Sequence, residues 1–345
     1  MNDGYKTATL SMIAKAAGVS IATASRVLNR NDAVIPISAR TKESVLKTAR
    51  QMGYLPSMAA RALRSGSTKT VGVLGESAEF FARLGDPSNR HPSFVGEIMR
   101  GLFKAATGRG YNLMMLTGAA GRTGSEMELL ASFGMVDGLL VLNRDLAADD
   151  IAAHALKAYP KPLVYVLDYR DDEGSIVAPD DFEGGMLATS ELLSRGHTRI
   201  AFVSWPYFGD IFSRRKAGWE FALRQAGLNP NDMLDVPDIR AIEPQLIRQS
   251  GFTAALCANG PCADELVSKC RQAAITIPQQ MEIIGFFHES AVATQDPYFA
   301  NVLSPLSEIV SFAVNQLVDV IEGKSVGQKK LFPYRLQHGE TCAAK

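Results

Sequence analysis

A chain of 345 residues, 46% hydrophobic and 21% charged, is long enough for two or three domains and has the composition of ordinary globular proteins. Met1 to Thr9 lacks the apolar run of an export signal, and no stretch approaches the roughly 18 apolar residues of a membrane span, so a cytoplasmic protein is expected. The 36 Lys and Arg balance the 36 Asp and Glu, yet residues 1 to 69 hold eleven basic against three acidic side chains; a head at +8 precedes a body at −8, the asymmetry of a nucleic-acid-binding arm on a non-binding core.

In the head, Thr9 can cap a short helix in which Leu10, Ile13, Ala14 and Ala17 share one face, and Gly18 permits the turn that follows. Ser20 can cap a second helix. Its Ala24, Val27 and Leu28 form an apolar face, and Ile21, Ala22, Ser25 and Arg26 form the opposite one. A third helix, capped by Ser38 and turning Val45, Leu46, Ala49 and Met52 inward, completes a three-helix unit that ends at Gly53. The short turn leaves the outer face of the second helix free to enter a major groove about 12 Å wide. Arg26 is then the guanine reader, because its planar fork can donate to O6 and N7 together, while Lys6, Arg30, Lys42 and Lys47 suit phosphates.

Residues 57 to 64, S-M-A-A-R-A-L-R, form an alanine-rich segment too short to hold a helix alone in water. Paired across a dyad, Ala60 lets two backbones approach and Leu63 can wedge into a minor-groove base step. From Thr70 onward, apolar runs at 71–74, 111–116, 138–142, 163–167, 199–203, 254–257 and 282–286 alternate with amphipathic stretches, the pattern of a parallel α/β core. Val95, Ile98, Met99, Leu102, Phe103 and Ala106 fall at helical spacing as a sheet-facing stripe. Near Leu167 to Asp171 the pattern restarts, which predicts a second lobe and a ligand cleft between the two.

Cys257, Cys262, Cys270 and Cys342 have neither metal-ligand spacing nor a histidine cluster nearby, so buried small hydrophobes are expected, with no metal and no cofactor. Enzyme constellations are missing: the chain has no dinucleotide or Walker loop, no H-E-x-x-H and no G-x-S-x-G. The rival to a regulator is a solute-binding protein without a DNA-binding role. The head, the hinge segment and the missing export signal argue against it.

The run L-S-M-I-A-K-A-A-G-V-S-I-A-T-A-S-R-V-L-N (10 to 29), followed by G-Y-L-P-S-M-A-A-R-A-L (53 to 63), resembles the head of LacI/GalR-family regulators. The resemblance implies that Ile21, Ala22 and Arg26 read bases, that Ser20, Thr23 and Asn29 touch the backbone, and that Leu63 is the minor-groove wedge. Between Asn29 and Thr41 the chain is about three residues longer than the family norm, with Ile35-Pro36-Ile37 inserted. Further landmarks are D-D-F-E-G-G-M-L-A-T (180 to 189), R-G-H-T-R-I-A-F-V (195 to 203), R-R-K-A-G-W (214 to 219) and I-P-Q-Q-M-E-I-I-G-F (277 to 286).

The fold so implied is α/β: a three-helix helix-turn-helix head (1–56), a hinge helix and linker (57–69), and a two-lobed periplasmic-binding-protein-like core of parallel sheets (70–345). The N-lobe would take about 70–168 and 301–328, and the C-lobe about 169–300 and 329–345. A homodimer on a palindromic operator, controlled by a small-molecule effector in the cleft, is expected. The chain stops soon after L-F-P-Y-R-L (331 to 336), without a leucine heptad tail, which favours a dimer over a tetramer.

By position Arg215 matches the family's effector-binding arginine and Asn259 the asparagine of C-A-N-D, although Gly260 replaces the aspartate. Where the family has G-F-D-D, this chain has Gly285-Phe286-Phe287-His288, so a hydroxyl-gripping carboxylate has become aromatic. With Trp205 and Phe208 nearby the pocket would be more apolar; Asn143 and Asp168 lie one residue off the family's polar contacts. His288 either titrates near neutrality or is held structurally. His197 is expected to be structural.

Overall fold

The computed structural model describes residues 8–28, 36–54, 62, 65–75, 93–117, 133–142, 156, 158–169, 175–206, 210–288 and 299–342. The chain divides into two compact units, Met1–Thr68 and Lys69–Lys345.

The first unit holds α1 (Leu10–Ala16), α2 (Ile21–Leu28) and α3 (Ala39–Gln51). Each begins where a hydroxyl satisfies an otherwise orphaned backbone N–H: Thr9 Oγ1 accepts from Met12 N (3.3 Å), Ser20 Oγ from Thr23 N (3.0 Å) and Ser38 Oγ from Thr41 N (3.2 Å). Gly18, at φ +67°, makes the left-handed turn between α1 and α2. Ile13, Ala14, Ala24, Val27, Val45 and Ala49 form the core, with Leu10, Leu28, Met52 and Tyr54 packed around it. Each of the buried Ile and Val side chains contributes about 1.5–3 kcal/mol. Leu46 departs from the expected inward set: it is 39% exposed, because it lies a 100° step round the helix from the fully buried Val45.

The second unit is built on two six-stranded sheets. The first contains β1 (Thr70–Gly75), β2 (Asn112–Thr117), β3 (Gly138–Val141), β4 (Leu163–Val166), β5 (Ser175–Pro179) and β11 (Lys330–Phe332), in the order β11-β5-β4-β3-β1-β2, all parallel. Helices α4 (Ser93–Gly108) and α9 (Leu306–Ile321) pack on it through Ile98, Leu102, Ala106, Ile309, Val310, Ala313, Val314 and Leu317. Phe103 does not join that stripe. It is 56% exposed, again one step round the helix from buried Leu102.

The second sheet contains β6 (Ile200–Val203), β7 (Asp235–Val236), β8 (Ala254–Cys257), β9 (Glu282–His288), β10 (Ala300–Ser304) and β12 (Arg335–Gln337), ordered β12-β10-β9-β8-β6-β7; only β12 runs antiparallel. It is flanked by α5 (Asp181–Ser194), α6 (Asp210–Gln225), α7 (Pro244–Ser250) and α8 (Gly260–Gln272). At Gly185 and Gly218, α5 and α6 touch backbone to backbone: a Cβ on Gly185 would lie 2.1 Å from the Arg215 carbonyl oxygen, and one on Gly218 2.1 Å from that of Phe182.

These sheets correct the expected lobe boundaries. The chain crosses after β5, after β10 and after β11, near residues 180, 305 and 333, rather than near 168, 300 and 328. Strand β5 belongs to the first sheet and pairs there with β4 and β11. Its five residues follow a polar stretch and carry no helical or alternating signal of their own, so only pairing reveals them.

Candidate nucleic-acid interface and interlobe site

Burying Ala24 and Val27 against α1 and α3 forces the other face of α2 outward. Ile21 is 53% exposed, Ala22 is exposed, and Thr23, Ser25 and Arg26 are partly so. Ser20 caps the helix while its hydroxyl lies 2.9 Å from that of Thr23, so both sit at the end of α2 where N–H groups are available to a phosphate. The structure therefore brings the expected DNA-contacting residues Ser20, Ile21, Ala22, Thr23, Ser25 and Arg26 onto one short helix surface. Asn29, Ala60 and Leu63 lie outside the described residues.

In the core, four of the expected effector residues share one register. Asp168, Trp205 and Asn259 each lie two residues beyond the carboxyl end of β4, β6 and β8, and Asn143, outside the described residues like Phe208, has the same offset from β3. The carboxyl ends of parallel strands are where ligands of α/β sheets bind. His288 closes β9 in register with Ser304.

Two of the candidates have internal duties. Asn259 caps α8, its side-chain oxygen accepting from Cys262 N at 2.9 Å. Phe287 is a correction: it is a buried core residue, stacked on Phe299 at 5.2 Å and packed over Gly260 and Gly285, not a cleft wall. Both glycines leave the space that the ring fills. Gly260 and Phe287, two positions where the chain departs from the motifs that the resemblance implies, thus pack against each other. Trp205 is half-buried beside the same cluster, with the Arg240 guanidinium 5.8 Å from its ring.

Arg215 is enclosed. Its Nε donates to Asp181 Oδ1 at 2.7 Å, Nη1 donates to the Ala258 carbonyl oxygen, Nη2 lies 3.0 Å from Tyr334 Oη, and the guanidinium covers the Phe286 ring at 3.9 Å. Tyr334 in turn donates to Asp181 Oδ1 at 2.6 Å, and the Tyr169 hydroxyl lies against both Asp181 Oδ2 and the Pro179 carbonyl oxygen. Burial works against the Arg215 charge, but the Asp181 carboxylate outweighs it and keeps the guanidinium protonated. Burial, with the adjacent carboxylate, pushes the Tyr169 and Tyr334 phenols up, so both remain donors. Removing one member of such a buried pair costs on the order of 3–5 kcal/mol, since the other charge is left uncompensated. Asp181, Tyr169 and Tyr334 were not legible as site residues; the only signal was the second aspartate in D-D-F-E-G-G.

His197 is structural, as expected. Its Nδ1 meets Thr253 Oγ1 at 2.9 Å and its Nε2 meets Glu282 at 3.0 Å. All four cysteines are free and buried. Among the described residues no helix is long and apolar enough to cross a membrane.

Residues 9–57 match the model of bacterial regulatory proteins of the lacI family, and residues 189–342 match the periplasmic binding protein-like domain. The chain thus carries a lacI-family regulatory domain at its head and a periplasmic-binding-protein-like domain in its core. This regulator is 26% identical to the ribose operon repressor of Escherichia coli (strain K12) over 94% of its own length and 96% of that protein's. Its fold matches that of the lac repressor dimer bound to operator and the anti-inducer ONPF, with a TM-score of 0.79, 21% identity and coverage of 98% and 100% of the two chains. It also matches the complex of the transcriptional regulator CelR with cellobiose, with a TM-score of 0.66, 25% identity and coverage of 97% and 99%. The chain thus combines a head that matches the lacI-family model with a two-lobed α/β core.

Proposed function

We propose that this LacI/GalR regulator is a cytoplasmic repressor, not an enzyme, that grips a palindromic operator as a homodimer and is controlled by a small metabolite held between the core lobes. The outward face of α2 carries this reading: a capped helix-turn-helix presents Ile21, Ala22 and Arg26 from a head of net charge +8. Arg26 pairs with a guanine edge, and apolar Ile21 and Ala22 suit thymine methyl groups. Hydroxyls at the start of α2 and the basic side chains hold phosphates, which position the head without specifying sequence. The segment 57–69 acts as hinge between head and core.

The relatives' effectors, cellobiose in the CelR complex among them, support a carbohydrate-related or other catabolic metabolite. Asp168, Trp205 and Asn259 offer mixed polar and aromatic contacts at the strand ends. Effector binding changes operator affinity only through a difference in its affinity for the DNA-bound and free states, typically about 1–3 kcal/mol. The test is selection of bound duplexes from a random DNA pool by the full-length protein, without added ligand. An inverted repeat establishes a dimeric operator binder and favours an inducer as effector. Enrichment of no sequence, with or without a panel of sugars and their phosphates, would overturn the reading.

A further inference from the structure

We infer that Tyr169 and the first turns of α6 form a latch that holds the two core lobes in one arrangement and has to open when they rotate. This rests on the reading above only for its regulatory consequence; the latch itself stands on geometry.

Tyr169 lies three residues past β4, on the first lobe, and is buried. Around it gather Ile176, Ala178, Tyr165 and Leu331 from that lobe, together with Ile211 and Phe212 from the beginning of α6 in the other. One apolar cluster therefore spans both lobes. The Arg214 guanidinium, also on α6, covers the Tyr169 ring at 4.1 Å. The Tyr169 hydroxyl meets the Pro179 carbonyl oxygen and the Asp181 carboxylate, where the chain crosses for the first time; its single proton serves one of these two acceptors at a time. Asp181 then passes the connection on to Arg215 of α6 and to Tyr334, where the chain crosses for the third time.

The tie from the first lobe to the second thus runs from Tyr169 through Asp181 to Arg215 and Tyr334. Tyr169, Asp181 and Tyr334 are buried, so parting Tyr169 from Asp181 gives up a buried hydrogen bond and opens the apolar cluster around the ring. Such a contact is made or broken as a unit rather than stretched. Asp168, at the strand-end register of the expected ligand site, directly precedes Tyr169, so a ligand seated there bears on the latch through one peptide unit.

The test reads lobe separation in the full-length protein. Because the four native cysteines are buried, introduced exposed ones can be labelled selectively. Asn112→Cys on the first lobe and Arg271→Cys on the second, both exposed positions, carry a spin-label pair, diluted with unlabelled chains so that the distance within one chain is read. Tyr169→Phe keeps the ring under Arg214 and deletes only the hydroxyl. It is expected to add a longer-distance population to a single native one, and Ile211→Ala, cutting the same contact from the other lobe, is expected to add the same population. Unchanged distances in both variants, with native far-ultraviolet circular dichroism, overturn the latch. A shifted distance accompanied by about fivefold or more change in affinity for the selected operator supports the regulatory role. A shifted distance with unchanged affinity overturns that role. Failure to select any operator overturns the DNA-binding reading, while the distance measurement, made without DNA, still decides the latch.

Discussion

Arg26 and Glu282 show how differently single residues act in this chain. On the outer face of α2, Arg26 has nothing to do with the packing of the head, whose core is formed by Ile13, Ala24, Val27 and Val45. Arg26→Ala is therefore expected to leave the melting of the head unchanged while weakening operator binding by about 1–3 kcal/mol and relaxing one base position per half-site. Equal weakening on all sequences, measured by fluorescence anisotropy, would make it a phosphate contact instead. Glu282 is a stability residue. Burial opposes its ionisation, but hydrogen bonds from Arg195 (Nε and Nη2, both 2.5 Å), His197 (3.0 Å) and Cys342 Sγ (3.4 Å) prevail and hold its pKa at about 2 against an ordinary 4.5. A depressed carboxylate contributes its full stability above about pH 4.5 and loses it as the pH falls towards 2. Urea denaturation midpoints should fall across that window, and Glu282→Gln should flatten that part of the slope.

Helices and strands were legible to different degrees, and the reason is how each reports its partners. The caps Thr9, Ser20 and Ser38 and the turn at Gly18 are local devices, so α1, α2 and α3 begin and end where the sequence places them. The errors at helix faces, Leu46 and Phe103, are single steps beside a buried neighbour, too small for an apolar period to resolve. Strands such as β1, β8 and β9 show as apolar runs, but β5, β7, β10, β11 and β12 do not; three of these are no more than three residues long, and β5 and β10 end at lobe crossings. At the element scale the sharpest expectation concerns the crossing of α5 and α6. Gly218→Ala puts a methyl 2.1 Å from the Phe182 carbonyl oxygen, so the core should be destabilised by at least about 1–3 kcal/mol. Gly96→Ala in α4, where a Cβ meets nothing within 4 Å, should instead stabilise by roughly 0.5–1 kcal/mol. Calorimetry on the two variants separates crowding from helix propensity.

At the scale of the whole molecule, the charge split between head and body predicts that operator affinity falls linearly with the logarithm of salt, by a slope of about −0.9 per phosphate neutralised. Titrations at several salt concentrations check this, and a flat response would remove the head from the interface. That division was legible in sequence alone: a basic head, a parallel α/β core, and the face of α2 left outside the packing of the head. Each of these depends on composition, caps or periodicity, which are properties of neighbouring residues. Tertiary structure alone decided where the lobes exchange chain, that Phe287 fills the space left by Gly260 and Gly285, and that Arg215 is held by Asp181 and Tyr334. In each case the partners are far apart in sequence, Asp181 and Tyr334 by 153 positions, and no local pattern records which buried groups will satisfy one another.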